Sequence, residues 1–98
     1  MDATIQEVKQ REVEGEKDYV LLDVREDYER SEFNIGGIHV PLGELMGAFD
    51  KLALHKDDEL IVYCRSGKRS AMAGELLRQA GFSNVRNLEG GMLAWQAG

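Results

Sequence analysis

The chain holds a single cysteine, Cys64, followed at once by Arg65, Ser66, Gly67, Lys68, Arg69 and Ser70. Three positive charges lie within five residues of the thiol, with no acid among them. A thiolate is the reactive form of cysteine, and neighbouring cations favour it. Gly67 permits the backbone curl in which successive N–H groups point at one centre. This spacing describes a thiolate in a cradle of donors, open to an anionic substrate. The competing reading is an inert core cysteine at the end of a strand. The basic, glycine-containing loop argues against it.

Two elements have to position that loop. Residues 60–63, Leu-Ile-Val-Tyr, form a continuous apolar run between Asp57-Asp58-Glu59 and the polar loop. Such a run predicts a central parallel strand covered on both faces. From Ser70 the period becomes helical, with Ala73, Leu76, Leu77 and Ala80 at i, i+3, i+4 and i+7. Gly81 supplies the stop, and Phe82 is placed to fold back on the last turn. The thiol therefore falls where a strand ends and a helix begins. The first helical turn offers unpartnered N–H groups and a partial positive charge, both of which stabilise an anion.

Around this centre, Thr4 and Glu7 fit a capping box opening a helix over about 4–14. A turn at 15–18 leads to a strong apolar strand over 19–24 and a short polar helix over 25–32. Asn34 and Gly36-Gly37 mark a turn, and a short strand at 38–40 ends at Pro41. Leu42, Leu45, Met46 and Phe49 share helical spacing and predict a further helix. A strand over 85–88 and a tight turn at Gly90-Gly91 precede a last helix through Trp95. Alternating strands and helices predict an α/β fold: a small three-layer domain whose central, mostly parallel sheet has helices on both faces. In such sheets ligands bind beyond the carboxyl ends of the strands. Cys64 and Asp23-Val24-Arg25 both stand at such ends. Asp23 and Arg25 are expected to form a buried pair fixing the turn. The acidic run 26–32 is expected to be a solvated helix face. Met46, Phe49, Met92 and Trp95 are expected in the core, His39 as a bonded structural residue, and His55 in solvent.

Composition narrows the function classes. Ninety-eight residues with 43% hydrophobic content and one proline predict one ordered domain, 1–98, able to bury a core without disulfides or metal. A net charge of −6 argues against nucleic-acid binding. No apolar run is long enough to span a membrane, and Met1-Asp2-Ala3-Thr4 lacks the basic start of a signal peptide. A cytoplasmic location, where a lone thiol stays reduced, is expected. The acidic body would repel a small anion over most of its surface, and the cysteine loop would attract it.

Rival chemistries fit less well. Cysteine-dependent phosphatases place arginine after five intervening residues, so that the guanidinium grips two phosphate oxygens. Here that position is Ser70, and Arg69 comes one place early. The shorter loop suits a sulfur atom better than a phosphoryl group. Arsenate reduction is disfavoured further by the lack of a second, resolving cysteine. Gly67-Lys68 fails as a nucleotide loop because Val62 stands where the first glycine belongs. His39, His55 and Cys64 lack metal-ligand spacing, so no metal is expected.

The stretch 64–70 resembles the active-site loop of rhodanese-like sulfurtransferases. Leu22-Asp23-Val24-Arg25-Glu26 with Ile35-Gly36-Gly37-Ile38-His39-Val40-Pro41 resembles that family's N-terminal signature, and Leu88-Glu89-Gly90-Gly91-Met92-Leu93-Ala94-Trp95 its C-terminal one. The three matches occur in order across nearly the whole chain. Asn34 stands where the family often has histidine, a change expected to touch local packing. The resemblance implies transfer of sulfane sulfur through a persulfide on Cys64. The donor is a small anion such as thiosulfate, and the acceptor is cyanide or a thiol, which a protein could carry. Arg65, Ser66, Gly67, Lys68, Arg69 and Ser70 would bind substrate, with no cofactor. A persulfide carrier or docking module serving a partner protein is the alternative.

Overall fold

The computed structural model describes residues 2–16 and 18–98. Lys17, within the expected turn at 15–18, and Met1 lie outside the described residues. In chain order the elements are α1 (Ile5–Val13), β1 (Tyr19–Asp23), α2 (Asp27–Glu32), β2 (Ile38–His39), α3 (Phe49–Leu52), β3 (Glu59–Tyr63), α4 (Lys68–Gln79), β4 (Val85–Asn87) and α5 (Gly91–Ala97). The strands form one sheet in the order β2-β1-β3-β4, every neighbour parallel. Leu21 pairs with Ile61 and Asp23 with Tyr63, so β1 and β3 end level with each other.

The apolar continuity of β1 and β3 has a direct cause: both faces of the sheet are covered. Side chains alternate along a strand, so Leu60, Val62 and Cys64 share one face and Ile61 and Tyr63 the other. The first set packs with Leu22, Val24, Leu45, Leu52, Ala73, Leu77 and Phe82. The second packs with Leu21, Val8 of α1, Leu88 and Met92 of α5. Truncating Leu77, which is fully buried, to alanine costs about 2–5 kcal/mol on this basis.

Local signals explain the helix boundaries. The Thr4 hydroxyl accepts the Glu7 N–H at 3.1 Å and caps α1. At the end of α4, Gly81 takes φ +99°, the Phe82 N–H reaches the Leu77 carbonyl at 3.0 Å, and the Gly81 N–H reaches that of Arg78 at 3.0 Å. These two bonds terminate the helix and fold buried Phe82 back onto it. One expectation fails. The stretch through Leu42, Leu45, Met46 and Phe49 is not one helix but 3-10 turns at Leu42–Glu44 and Met46–Ala48 leading into the short α3. Gly43 and Gly47 each weaken an α-helix by about 1 kcal/mol relative to alanine. Leu45 is buried and Phe49 packs against the core, but Met46 is 68% exposed and no part of it.

Candidate active site

Cys64 immediately follows β3, and the chain then turns through exposed Arg65 and Ser66 to Gly67. Gly67 adopts φ +102°, the left-handed conformation glycine reaches at least cost, and caps α4. Helix α4 begins at Lys68, two residues earlier than the apolar period suggests. This turn brings donors onto the sulfur. The Gly67 N–H lies 3.1 Å from Cys64 Sγ, and the Ser70 N–H and hydroxyl lie 3.4 Å from it. Burial is the largest influence on the thiol and opposes its ionisation. The Ser70 hydroxyl and the amides of Ser70, Gly67 and Ser66 outweigh burial and hold the Cys64 pKa below its ordinary value of 9.0. The structure corrects the expectation of an open thiol: Cys64 is only 1% exposed, although amides do converge on it.

Two further segments hold the loop. The first amides of α5 donate to it, Met92 N–H to the Cys64 carbonyl and Leu93 N–H to the Arg65 carbonyl, both at 2.9 Å. That approach requires Gly91, because a Cβ there would stand 2.4 Å from the Cys64 oxygen and 2.6 Å from that of Arg65. From β4, Asn87 Nδ2 donates to the Gly67 carbonyl at 3.2 Å, and Asn87 Oδ1 accepts from the Ser70 hydroxyl. Ser70 is fully buried, so its single hydroxyl proton is shared between Asn87 and the sulfur.

The loop cations are not equivalent. Arg65 and Lys68 are exposed and form no ion pair among the described residues. Arg69 is engaged: its guanidinium donates to both carboxylate oxygens of Glu29, at 2.7 and 2.8 Å. Arg69, expected among the substrate-binding residues, thus carries a paired charge. The same pair corrects the reading of 26–32 as a solvated face, since Glu29 is 9% exposed. The Arg69 guanidinium pulls the Glu29 carboxyl down to about 2, against burial and with help from the Glu26 N–H and Arg25.

Asp23 and Arg25 form the expected buried pair. Asp23 Oδ1 accepts from Arg25 N and Nε at 3.0 and 2.9 Å, and its Oδ2 accepts from the guanidinium at 2.8 Å. The same guanidinium donates to the Phe33 and Glu29 carbonyls at 2.7 and 3.3 Å, which braces α2 and so carries Glu29 to Arg69. His39 is bonded, with Nε2 2.8 Å from the Arg25 carbonyl. His55 is not the solvated residue expected: its Nδ1 sits 2.8 Å from Asp58 Oδ2, and its side chain is 20% exposed. Asn34 bridges the Arg30 carbonyl and the Gly36 N–H, a local packing role. Met92 is buried, and half-buried Trp95 packs on the same core. Among the described residues, no group of three or more His, Cys, Asp or Glu side chains is placed to hold a metal. No helix among them is long and apolar enough to cross a membrane. A cleft of about 360 Å³ opens beside the loop, lined by Tyr28, Glu29, Phe33, Arg65 and Leu93 among others.

Sequence reasoning misses two residues of this arrangement. Asn87 carries no local signal, because its role depends on β4 lying beside β3. Glu29 is one acid among several in its run, and only the fold brings it to Arg69, 40 residues away.

The profile of the Rhodanese-like domain family matches residues 4–98. In Bacillus subtilis, the "Putative sulfurtransferase YtwF" is 39% identical over 85 residues, covering 86% of this chain and 80% of that protein. The "Putative sulfur carrier protein YrkF" is 36% identical over 90 residues, covering 91% of this chain. This chain spans about half, 48%, of the length of YrkF. The human single-domain sulfurtransferase TSTD1 superposes with a TM-score of 0.83 at 28% identity, over 98% of this chain and 95% of that one. The family match over almost all the chain, the curated relatives and the structural likeness agree, and the chain belongs to the rhodanese-like domain family of sulfurtransferases and sulfur carriers.

Proposed function

We propose that residues 1–98 act as one sulfurtransferase domain that moves sulfane sulfur through a persulfide on Cys64. The Cys64 thiolate attacks the outer sulfur of thiosulfate. The donor S–S bond breaks, its electron pair leaves with sulfite, and a bond forms between Sγ and the transferred sulfur. A thiophilic acceptor, cyanide or a thiolate, then attacks the terminal sulfur, and the Cys64 thiolate is released. Atoms and charge balance without a metal or an organic cofactor. Cys64 is the nucleophile, while Arg65, Ser66, Gly67, Lys68 and Ser70 bind the donor and the persulfide. Arg69 completes the donor-binding loop with its charge offset by Glu29.

The observation that carries this reading is the convergence of the Gly67 and Ser70 amides and the Ser70 hydroxyl on one sulfur. Fixed donors aimed at an anion stabilise it without reorganisation. A phosphatase would need an arginine after five intervening residues to grip phosphoryl oxygens, and Ser70 stands there, while the neighbouring Arg69 is held by Glu29. A cytoplasmic setting fits a lone reduced thiol. The second reading, a persulfide carrier for a partner protein, is favoured by the likeness to YrkF.

Steady-state thiocyanate formation from thiosulfate and cyanide tests the proposal. Wild type should turn over, and Cys64→Ala and Cys64→Ser should not. Loading followed by discharge only to a protein thiol would favour the carrier. Absence of sulfur transfer from thiosulfate and from organic persulfides would end the transferase reading.

A further inference from the structure

We infer that Glu29 is a specificity-determining residue, which cancels the charge of Arg69 and thereby sets how strongly the Cys64 loop prefers dianionic over singly charged reactants. The inference rests on Cys64 being the reacting group.

The geometry is specific. Glu29 reaches the loop from α2, meets Arg69 through two parallel hydrogen bonds at 2.7 and 2.8 Å, and is 9% exposed. The Glu26 N–H donates to the same carboxylate at 3.1 Å, fixing it from behind. Other cations of this region are committed elsewhere: Arg25 to Asp23 and two carbonyls, Arg30 to Asp23 and the Gly36 and Gly37 carbonyls. Of the three loop cations, only Arg65 and Lys68 therefore offer uncompensated charge to an incoming anion. Attraction scales with the charge of the reactant, so removing one unit of positive potential weakens capture of a dianion twice as much, in free energy, as capture of a monoanion. A site with a free Arg69 would favour thiosulfate. With Arg69 paired, that preference is smaller, and donors carrying one negative charge compete better.

A charge series tests this without relying on sulfur transfer. Iodoacetate and iodoacetamide react with the Cys64 thiolate by the same step, in which an S–C bond forms and iodide leaves. The ratio of their rates cancels thiol ionisation and reports local potential. Glu29→Gln should raise that ratio about three-fold, Arg69→Gln should lower it about three-fold, and the double variant should return it near wild type, as expected for one unit charge at partly screened range. Glu29→Asp keeps the charge while disturbing the bidentate geometry and should leave the ratio near wild type. Where thiosulfate loads the protein, its second-order loading rate should follow the same order with about ten-fold steps. A flat series, a double variant that fails to return, or a Glu29→Asp shift as large as that of Glu29→Gln would overturn the inference. If wild type fails to load from any sulfane donor while the alkylation series holds, the proposed function fails and the role of Glu29 stands.

Discussion

Replacing Ser70 by alanine removes one of the donors that hold the Cys64 sulfur as an anion. A hydrogen bond to a charged group is worth about 1.5–3 kcal/mol when its geometry is good. Here the oxygen stands 3.4 Å from the sulfur, and its single proton is shared with Asn87 Oδ1. Two-thirds of the lower bound is a fair allowance, about 1 kcal/mol, which is a factor of about five in the thiolate population below the pKa. The Ser70 and Gly67 amides stay, so the pKa should rise without the thiolate being lost. The assay is the rate of iodoacetamide alkylation against pH. Ser70→Ala should react about five-fold more slowly on the acid limb, with its midpoint moved up and its alkaline plateau unchanged. Asn87 Oδ1 also loses its donor, so the urea midpoint should fall by the equivalent of about 1 kcal/mol. An acid limb that coincides with wild type, or a midpoint moved down, would show that the hydroxyl does not stabilise the anion.

Two further outcomes follow from the supports of the loop. Gly91→Ala places a methyl group against the Cys64 and Arg65 carbonyls, at a residue with φ +55°. It should destabilise the protein by at least about 2 kcal/mol in denaturant melts and slow Cys64 alkylation, because the α5 amides can no longer hold the loop. The Glu29 carboxyl titrates at about 2 in the folded chain instead of 4.5, so its contribution is complete above pH 4.5 and is lost as pH falls toward 2. Wild type should lose stability in that window more steeply than Glu29→Gln, and equal acid slopes would contradict the pairing.

How much of this was legible depends on the range of the interaction involved. The run Leu60-Ile61-Val62-Tyr63 reads as a doubly covered strand because burial on both faces leaves no polar alternation to mask it. Gly81 and Phe82 announce the end of α4 because the cap is made within six residues. The thiol environment was half legible. Gly67 marks the curl that aims amides at the sulfur, but the depth of Cys64 follows from its packing in one cluster with Val24, Leu45 and Ala73, which come from separate segments of the chain. The 3-10 turns escaped because apolar spacing at Leu42, Leu45 and Phe49 survives there while Gly43 and Gly47 break the regular helix. Met46 shares that spacing and still points to solvent. Glu29, Asn87 and the true state of Arg69 were hidden for one reason: each depends on a contact between segments far apart in the chain. An acidic residue in a charged helix looks solvated until the fold supplies its arginine.

Whether sulfur rides covalently on Cys64 is read directly by the intact mass of the protein after exposure to thiosulfate. Wild type should gain the mass of one sulfur atom and lose it on addition of cyanide, and Cys64→Ala should show neither change. A wild-type mass that stays constant with thiosulfate and with an organic persulfide, or an added sulfur that persists in Cys64→Ala, would contradict the account.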